Sequence, residues 1–211
     1  MVRWLFFFND PHRILPRNTK EFEEFCDEKS RIELYVTAYA RRCLPKFPRQ
    51  VTSLLMFGIA RKNRYYCNFV KGKSDIIQGA KCINTIKETG AQCLTQTIND
   101  LMAIRHAPTD GKIAKTCCTY YRLEECLVHK TQEDHKVCTP KDAKRMEELL
   151  EGYSGQMINH VCAKYPKDLD HCAKLLSKRE LSKLRKISSK NKEESYSILQ
   201  PMIDILDSIP P

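Results

Sequence analysis

Eleven cysteines in a chain of 211 residues, all lying between positions 26 and 172, constrain the fold more than any other feature of this sequence. Free thiols are an oxidation liability, and reducing compartments tolerate so many only when they are used. The two uses to compare are a disulfide framework and zinc ligation, which leave different spacings. No Cys-x2-Cys knuckle occurs anywhere. The expectation is therefore a framework drawn from Cys26, Cys43, Cys67, Cys82, Cys93, Cys117, Cys118, Cys126, Cys138, Cys162 and Cys172. Disulfides in turn imply the secretory route or the extracellular space. An odd total leaves one thiol over, and about ten thousand pairings satisfy the count, so the connectivity stays open at this point.

The chain is long enough to bury a sizeable core. Its 42% hydrophobic and 29% charged residues form a globular balance, not the depleted apolar content of a disordered chain. Seven glycines are few for an all-β fold, which spends more of them on turns. The expected class is all-α, a disulfide-stapled helical bundle. Arg3 and five apolar residues, Trp4 to Phe8, begin like an export signal before Asn9, Asp10 and Pro11 interrupt. An export core needs roughly seven to fifteen apolar residues, so secretion is expected although no complete signal peptide is visible. No run approaches the roughly 18 apolar residues of a membrane span.

Local patterning divides the chain into an N-terminal arm (1–18), a stapled helical domain (19–173), and a basic segment with a short apolar C-terminal helix (174–211). Asn18-Thr-Lys-Glu21 has capping-box form, and Phe22, Phe25, Ile32, Tyr35, Val36 and Tyr39 follow at helical spacing. This predicts a helix over 19–44, stopped by Pro45 and Pro48. An apolar stretch over 51–59 comes next, then a helix over 74–104 carrying both Cys82 and Cys93. Eleven residues is close to three turns, so those thiols point the same way and are expected to bond to neighbouring elements, not to each other. A turn at 107–111 leads to a helical stretch with Cys117, Cys118 and Cys126. Thr139-Pro140 is a strong helix start, and Gly152-Tyr-Ser-Gly155 reads as a turn-like break. Pro166 separates a further helix beginning near Asp168, and Pro201 limits the last apolar segment, 198–209, to a short or kinked helix.

Adjacent cysteines have diverging side chains, so Cys117 and Cys118 are expected to bond to different partners. The double cysteine of phospholipase A2 is followed after two residues by a catalytic His-Asp; Tyr121-Arg122 stand there instead, and no Gly-rich calcium loop precedes them. Cys126, His129, His135 and Cys138 carry zinc-ligating chemistry in an unfamiliar spacing, and surface histidines are the preferred reading. No nucleophile signature surrounds any cysteine, and the segment 152–155 is not the Gly-x-Ser-x-Gly elbow. No catalytic residue, metal or cofactor is assigned. The net charge of +10 is concentrated: Lys174, Lys178, Arg179, Lys183, Arg185, Lys186, Lys190 and Lys192 stand against Glu180 alone. These are candidate anion-binding residues, weighed against a solvated helix face and linker. Aromatic residues are missing from the segment, so base stacking is not supported.

The spacing of Cys26, Arg42-Cys43-Leu44, Cys67, Cys82, Cys93, Cys117-Cys118-x7-Cys126-x11-Cys138, Cys162 and Cys172 resembles that of a loosely defined group of secreted, cysteine-rich helical proteins of arthropods, with salivary, haemolymph and venom members. The resemblance covers residues 26–172 and implies fold and compartment more than activity. Members of that group carry a further cysteine eight residues before the position of Cys43, where Tyr35 stands here. The leftover thiol is then expected to be the partner that position has lost, either buried and inert or linking two chains. The reading is a secreted, non-enzymatic binding protein, a venom, salivary or haemolymph effector directed at a protein or an anionic surface. Its rival is an intracellular, zinc-stabilised basic protein that binds nucleic acid.

Overall fold

The computed structural model describes residues 14–165, 167–190, 195 and 197–209; the apolar run at 4–8, Pro166 and Lys192 lie outside the described residues. Among the described residues there are nine α-helices and no strand. In order they are α1 (Thr19–Cys43), α2 (Lys46–Asn68), α3 (Val70–Thr85), α4 (Lys87–Ile104), α5 (Lys112–Glu133), α6 (Pro140–Val161), α7 (Leu169–Leu175), α8 (Lys178–Lys190) and α9 (Leu199–Asp207).

Two of the starts marked by polar caps, those of α1 and α6, form as their residues dictate. The Asn18 side chain accepts a hydrogen bond from the Glu21 N–H at 3.0 Å, and Glu21 accepts one from the Arg17 N–H at 2.9 Å. The first bond satisfies one of the donors that the first turn of α1 leaves open, and the second ties the residue before the cap to that turn. At α6 the Asp142 carboxylate accepts from the Thr139 N–H (2.8 Å), the Thr139 hydroxyl (2.7 Å) and Arg145 (2.8 Å). Burial pushes that carboxyl up, but the Thr139 and Arg145 hydrogen bonds prevail and hold it below the ordinary aspartate range.

Three boundaries differ from the sequence pattern. Pro48 does not stop a helix; it lies in the first turn of α2, where its missing N–H has no intrahelical partner to lose. The stretch expected as one helix over 74–104 starts at Val70 and divides at Ile86 (φ −84°, ψ 7°). The hydrogen bonds run on across the break, from the Ile86 N–H to the Cys82 carbonyl (3.1 Å) and from the Gly90 N–H to the Ile86 carbonyl (2.8 Å). Cys82 and Cys93 thereby sit on different helices and reach different partners. The segment 152–155 is no break but the middle of α6. Its glycine serves close packing: a Cβ on Gly152 would stand 2.5 Å from Cδ of Lys62 on α2, while one on Gly58 of α2 would stand 3.0 Å from the Tyr153 carbonyl oxygen.

The helix α5 is the centre of the bundle, packed by α4, α6, α7 and α9. It is buried around most of its circumference, as a central helix must be. Its buried Thr116 and Thr119 hydroxyls donate to carbonyls four residues back at 2.9 Å, so burial strands neither of them. Gly111 starts α5 with φ +80°, a left-handed conformation that suits glycine.

Five disulfides staple the bundle: Cys26–Cys67, Cys82–Cys138, Cys93–Cys126, Cys117–Cys162 and Cys118–Cys172. The adjacent cysteines do diverge, Cys117 tying α5 to the end of α6 and Cys118 tying it to α7. Cys43 is not part of the framework; it is the free thiol, and it is exposed. Nor is it a lost partner of position 35. Tyr35 lies on α1 with it, and eight helical residues span about 12 Å, well beyond the Cα separation that a disulfide bridges.

The arm and the C-terminal segment join the same core. Leu15 is buried, and its N–H and carbonyl both bond to the Asn84 side chain of α3, at 2.7 and 3.0 Å. The helix α8 packs on α4, and α9 packs on α2, α4 and α5. Pro201 falls in the first turn of α9, which is short as expected.

Candidate functional site

The basic segment folds as the end of α7 and the whole of α8. Ser177 begins α8, its hydroxyl accepting from the Glu180 N–H at 3.3 Å. Leu181 and Leu184 are buried, Leu184 against Ala103 and Ala107. Opposite that apolar edge, Lys178, Arg179, Lys183 and Lys186 are exposed. With Arg179 and Lys183 one turn apart on the same face, their repulsion costs the helix a few tenths of a kcal/mol, about 0.2–0.5. Ile187 is 46% exposed beside them.

Arg185 has a different task. Its Nε donates to Oδ1 of Asp100 on α4 at 3.1 Å and its Nη2 to the same oxygen at 2.5 Å. Gln96 adds a third bond to that oxygen at 2.9 Å. The Asp100 side chain is only 7% exposed, whereas that of Arg185 is 44% exposed. A buried carboxylate needs such partners, so Arg185 fastens α8 to α4. Lys174, in the last turn of α7, is exposed. Lys190 is the last residue of α8, and its side chain, like the whole of Lys192, lies outside the described residues. The described part of the candidate face is thus Lys174, Lys178, Arg179, Lys183 and Lys186.

The zinc-ligand pattern does not assemble. Cys126 is bonded to Cys93 and Cys138 to Cys82, which leaves neither sulfur as a thiolate. His129 instead lies 3.8 Å from Glu133, one turn on in α5. Among the described residues no group of three or more His, Cys, Asp or Glu side chains is arranged to hold a metal ion. At the double cysteine, the Tyr121 hydroxyl donates to the Tyr165 carbonyl at 2.9 Å, tying α5 to the loop after α6.

Two recesses carry no sequence signature. One, of about 100 Å³, is lined by Lys62, Tyr65, Tyr66, Asp75, Arg145 and Glu148. There the Lys62 ammonium lies 5.0 Å from the centre of the Tyr66 ring. Burial lowers its pKa, with the Glu148 and Asp75 carboxylates pulling the other way. The other is an apolar cavity of about 50 Å³ between α2, α4, α5, α6 and α9. Its polar feature is a contact of 2.7 Å between the Tyr120 and Ser154 hydroxyls. Both recesses join residues far apart in the chain, which periodicity and spacing do not register.

No helix among the described residues is long and apolar enough to cross a membrane. Comparison with protein-family models, curated proteins and solved structures finds no match to this chain.

Proposed function

We propose that this is an extracellular, non-enzymatic binding protein that meets an anionic surface through the outward face of α8. The observation that carries the reading is the division of labour on that helix: Leu181, Leu184 and Arg185 hold it to the bundle, and Lys178, Arg179 and Lys183 project outward. Five disulfides support an oxidising compartment, and so does the resemblance in cysteine spacing to secreted arthropod proteins. An exposed Ile187 beside the cations suits a surface with an apolar layer beneath its charge. The exposed thiol of Cys43 gives such a protein a means of pairing with a second copy through a disulfide.

The test is retention on immobilised heparin and on vesicles containing an anionic lipid. Changing Lys178, Arg179 and Lys183 together to glutamine is expected to weaken vesicle binding by about 3 kcal/mol, from about 1 kcal/mol per basic residue near such a surface. Retention should fall as salt rises, because exposed charges are screened over about 10 Å at 0.1 M. The melting temperature should stay the same, since these three side chains are exposed. Unchanged retention on both supports refutes the reading, while loss on one alone identifies the kind of surface.

A further inference from the structure

The apolar cavity differs from an ordinary packing gap in how its walls are held. Of the five helices that line it, four are fixed by disulfides: α2 through Cys67, α4 through Cys93, α5 through Cys117, Cys118 and Cys126, and α6 by the cysteines just outside its ends, Cys138 and Cys162. The fifth wall is the N-terminal half of α9, with Ile198, Leu199 and Met202. The last cysteine in the sequence is Cys172, so α9 has no covalent tie of its own. Among the described residues its polar anchors to the bundle are at the other end. Asp204 pairs with Arg105 of the α4 terminus at 3.1 Å, and the Ser208 hydroxyl accepts from Lys112 at 2.9 Å. The helix is therefore held at its C-terminal end, and the half that covers the cavity is held by apolar contact.

The chemistry of the lining selects the occupant. Apart from the Tyr120–Ser154 hydroxyl pair and the hydroxyl of Tyr153, which donates to Asn63 at 2.9 Å, the lining is apolar, and it contains no Lys, Arg or His to match a carboxylate. Ser154 donates its proton to the Leu150 carbonyl at 2.7 Å, so in the hydroxyl pair Tyr120 is the donor. A lone pair on the Tyr120 oxygen is left to accept one further hydrogen bond. At about 50 Å³ the cavity is smaller than the roughly 150 Å³ that admits benzene in an apolar site, so α9 must shift for anything of that size to be enclosed. We infer that the cavity is a binding site for a neutral aliphatic molecule bearing one hydroxyl, admitted when the N-terminal half of α9 swings out from the disulfide-fixed walls.

Calorimetric titration of the intact protein with straight-chain primary alcohols from hexanol to dodecanol tests this, and uncharged ligands do not address the basic face of α8. Saturable one-to-one binding is expected, with affinity rising about fourfold per methylene as buried CH2 groups give. Decanol should bind at least tenfold more tightly than decanoate or than decyl methyl ether, which lacks the donor. Tyr120→Phe combined with Ser154→Ala, which removes both hydroxyl acceptors, should abolish the preference over the ether, and Met202→Trp, which fills the cavity under α9, should weaken decanol at least tenfold. The absence of saturable binding to the unaltered protein overturns the inference. So does decanoate competing for the decanol site as tightly as decanol, a preference for decanol over the ether that survives the double hydroxyl removal, or undiminished binding to a folded Met202→Trp variant. If that variant does not fold, the alcohol, ether and carboxylate comparison decides alone.

Discussion

Replacing Cys118 by serine is expected to cost the fold about 3 kcal/mol, and replacing Cys43 almost nothing. The Cys118–Cys172 bond spans 54 residues of sequence, but with Cys117–Cys162 in place the loop it closes is only about a dozen residues, and the loop-closure entropy removed from the unfolded chain then amounts to about 3 kcal/mol at 25 °C. Domains are stable by about 5–15 kcal/mol, so the loss takes a large share of the total. It also detaches α7, whose single buried residue is Cys172 and which meets the bundle chiefly at α5. Cys43 closes no loop and is exposed, so serine there should change stability by less than about 0.5 kcal/mol. Urea unfolding of both variants measures the difference directly. Equal, small effects would mean that the staple between α5 and α7 does not bear on folding.

The second large effect is expected at the other end of the chain. Ile205 is 0% exposed, in the last turn of a helix that follows the last disulfide by many residues. Ile205→Ala should destabilise by about 2–5 kcal/mol through lost burial and the cavity left behind. Exposed Asp207, two residues on in the same helix, gives the control: alanine there should stay within about 0.5 kcal/mol. A similarly small effect at both positions would make α9 the loose appendage that a cysteine-free tail suggests. A large effect at Ile205 with a cooperative transition means that α9 folds as one unit with the stapled helices.

What the sequence disclosed, and what it hid, follows from the range of each interaction. Caps are local, so the starts at Asn18 and Thr139 could be read from four residues each. The divergence of Cys117 and Cys118 is likewise a matter of adjacent Cα–Cβ directions, and both cysteines do find separate partners. The break at Ile86 carries neither glycine nor proline and leaves hydrogen bonds nearly continuous, so periodicity ran straight through it. Pro48 and the Gly152–Gly155 segment misled in the opposite sense. A proline is harmless in a first turn, and a glycine inside a helix can serve a neighbour's approach, here that of α2. At the candidate face the charge was visible but the division of roles was not. Arg185 is set apart from Lys183 and Lys186 by Asp100, a residue 85 positions away. The same distance effect hid the cavity, whose walls come from five helices and whose hydroxyl pair joins Tyr120 to Ser154.

The account rests on an oxidised framework with one cysteine outside it, and alkylation of the native protein without reduction, followed by intact mass and peptide mapping, tests that most directly. Ten sulfurs are paired and Cys43 is the free one. The predicted result is a single label on Cys43, or no label together with a doubled mass through a Cys43–Cys43 bond. Labels on Cys117, Cys118, Cys126 or Cys138 in the folded protein, accompanied by stoichiometric zinc, would contradict the framework and return the chain to a reducing compartment.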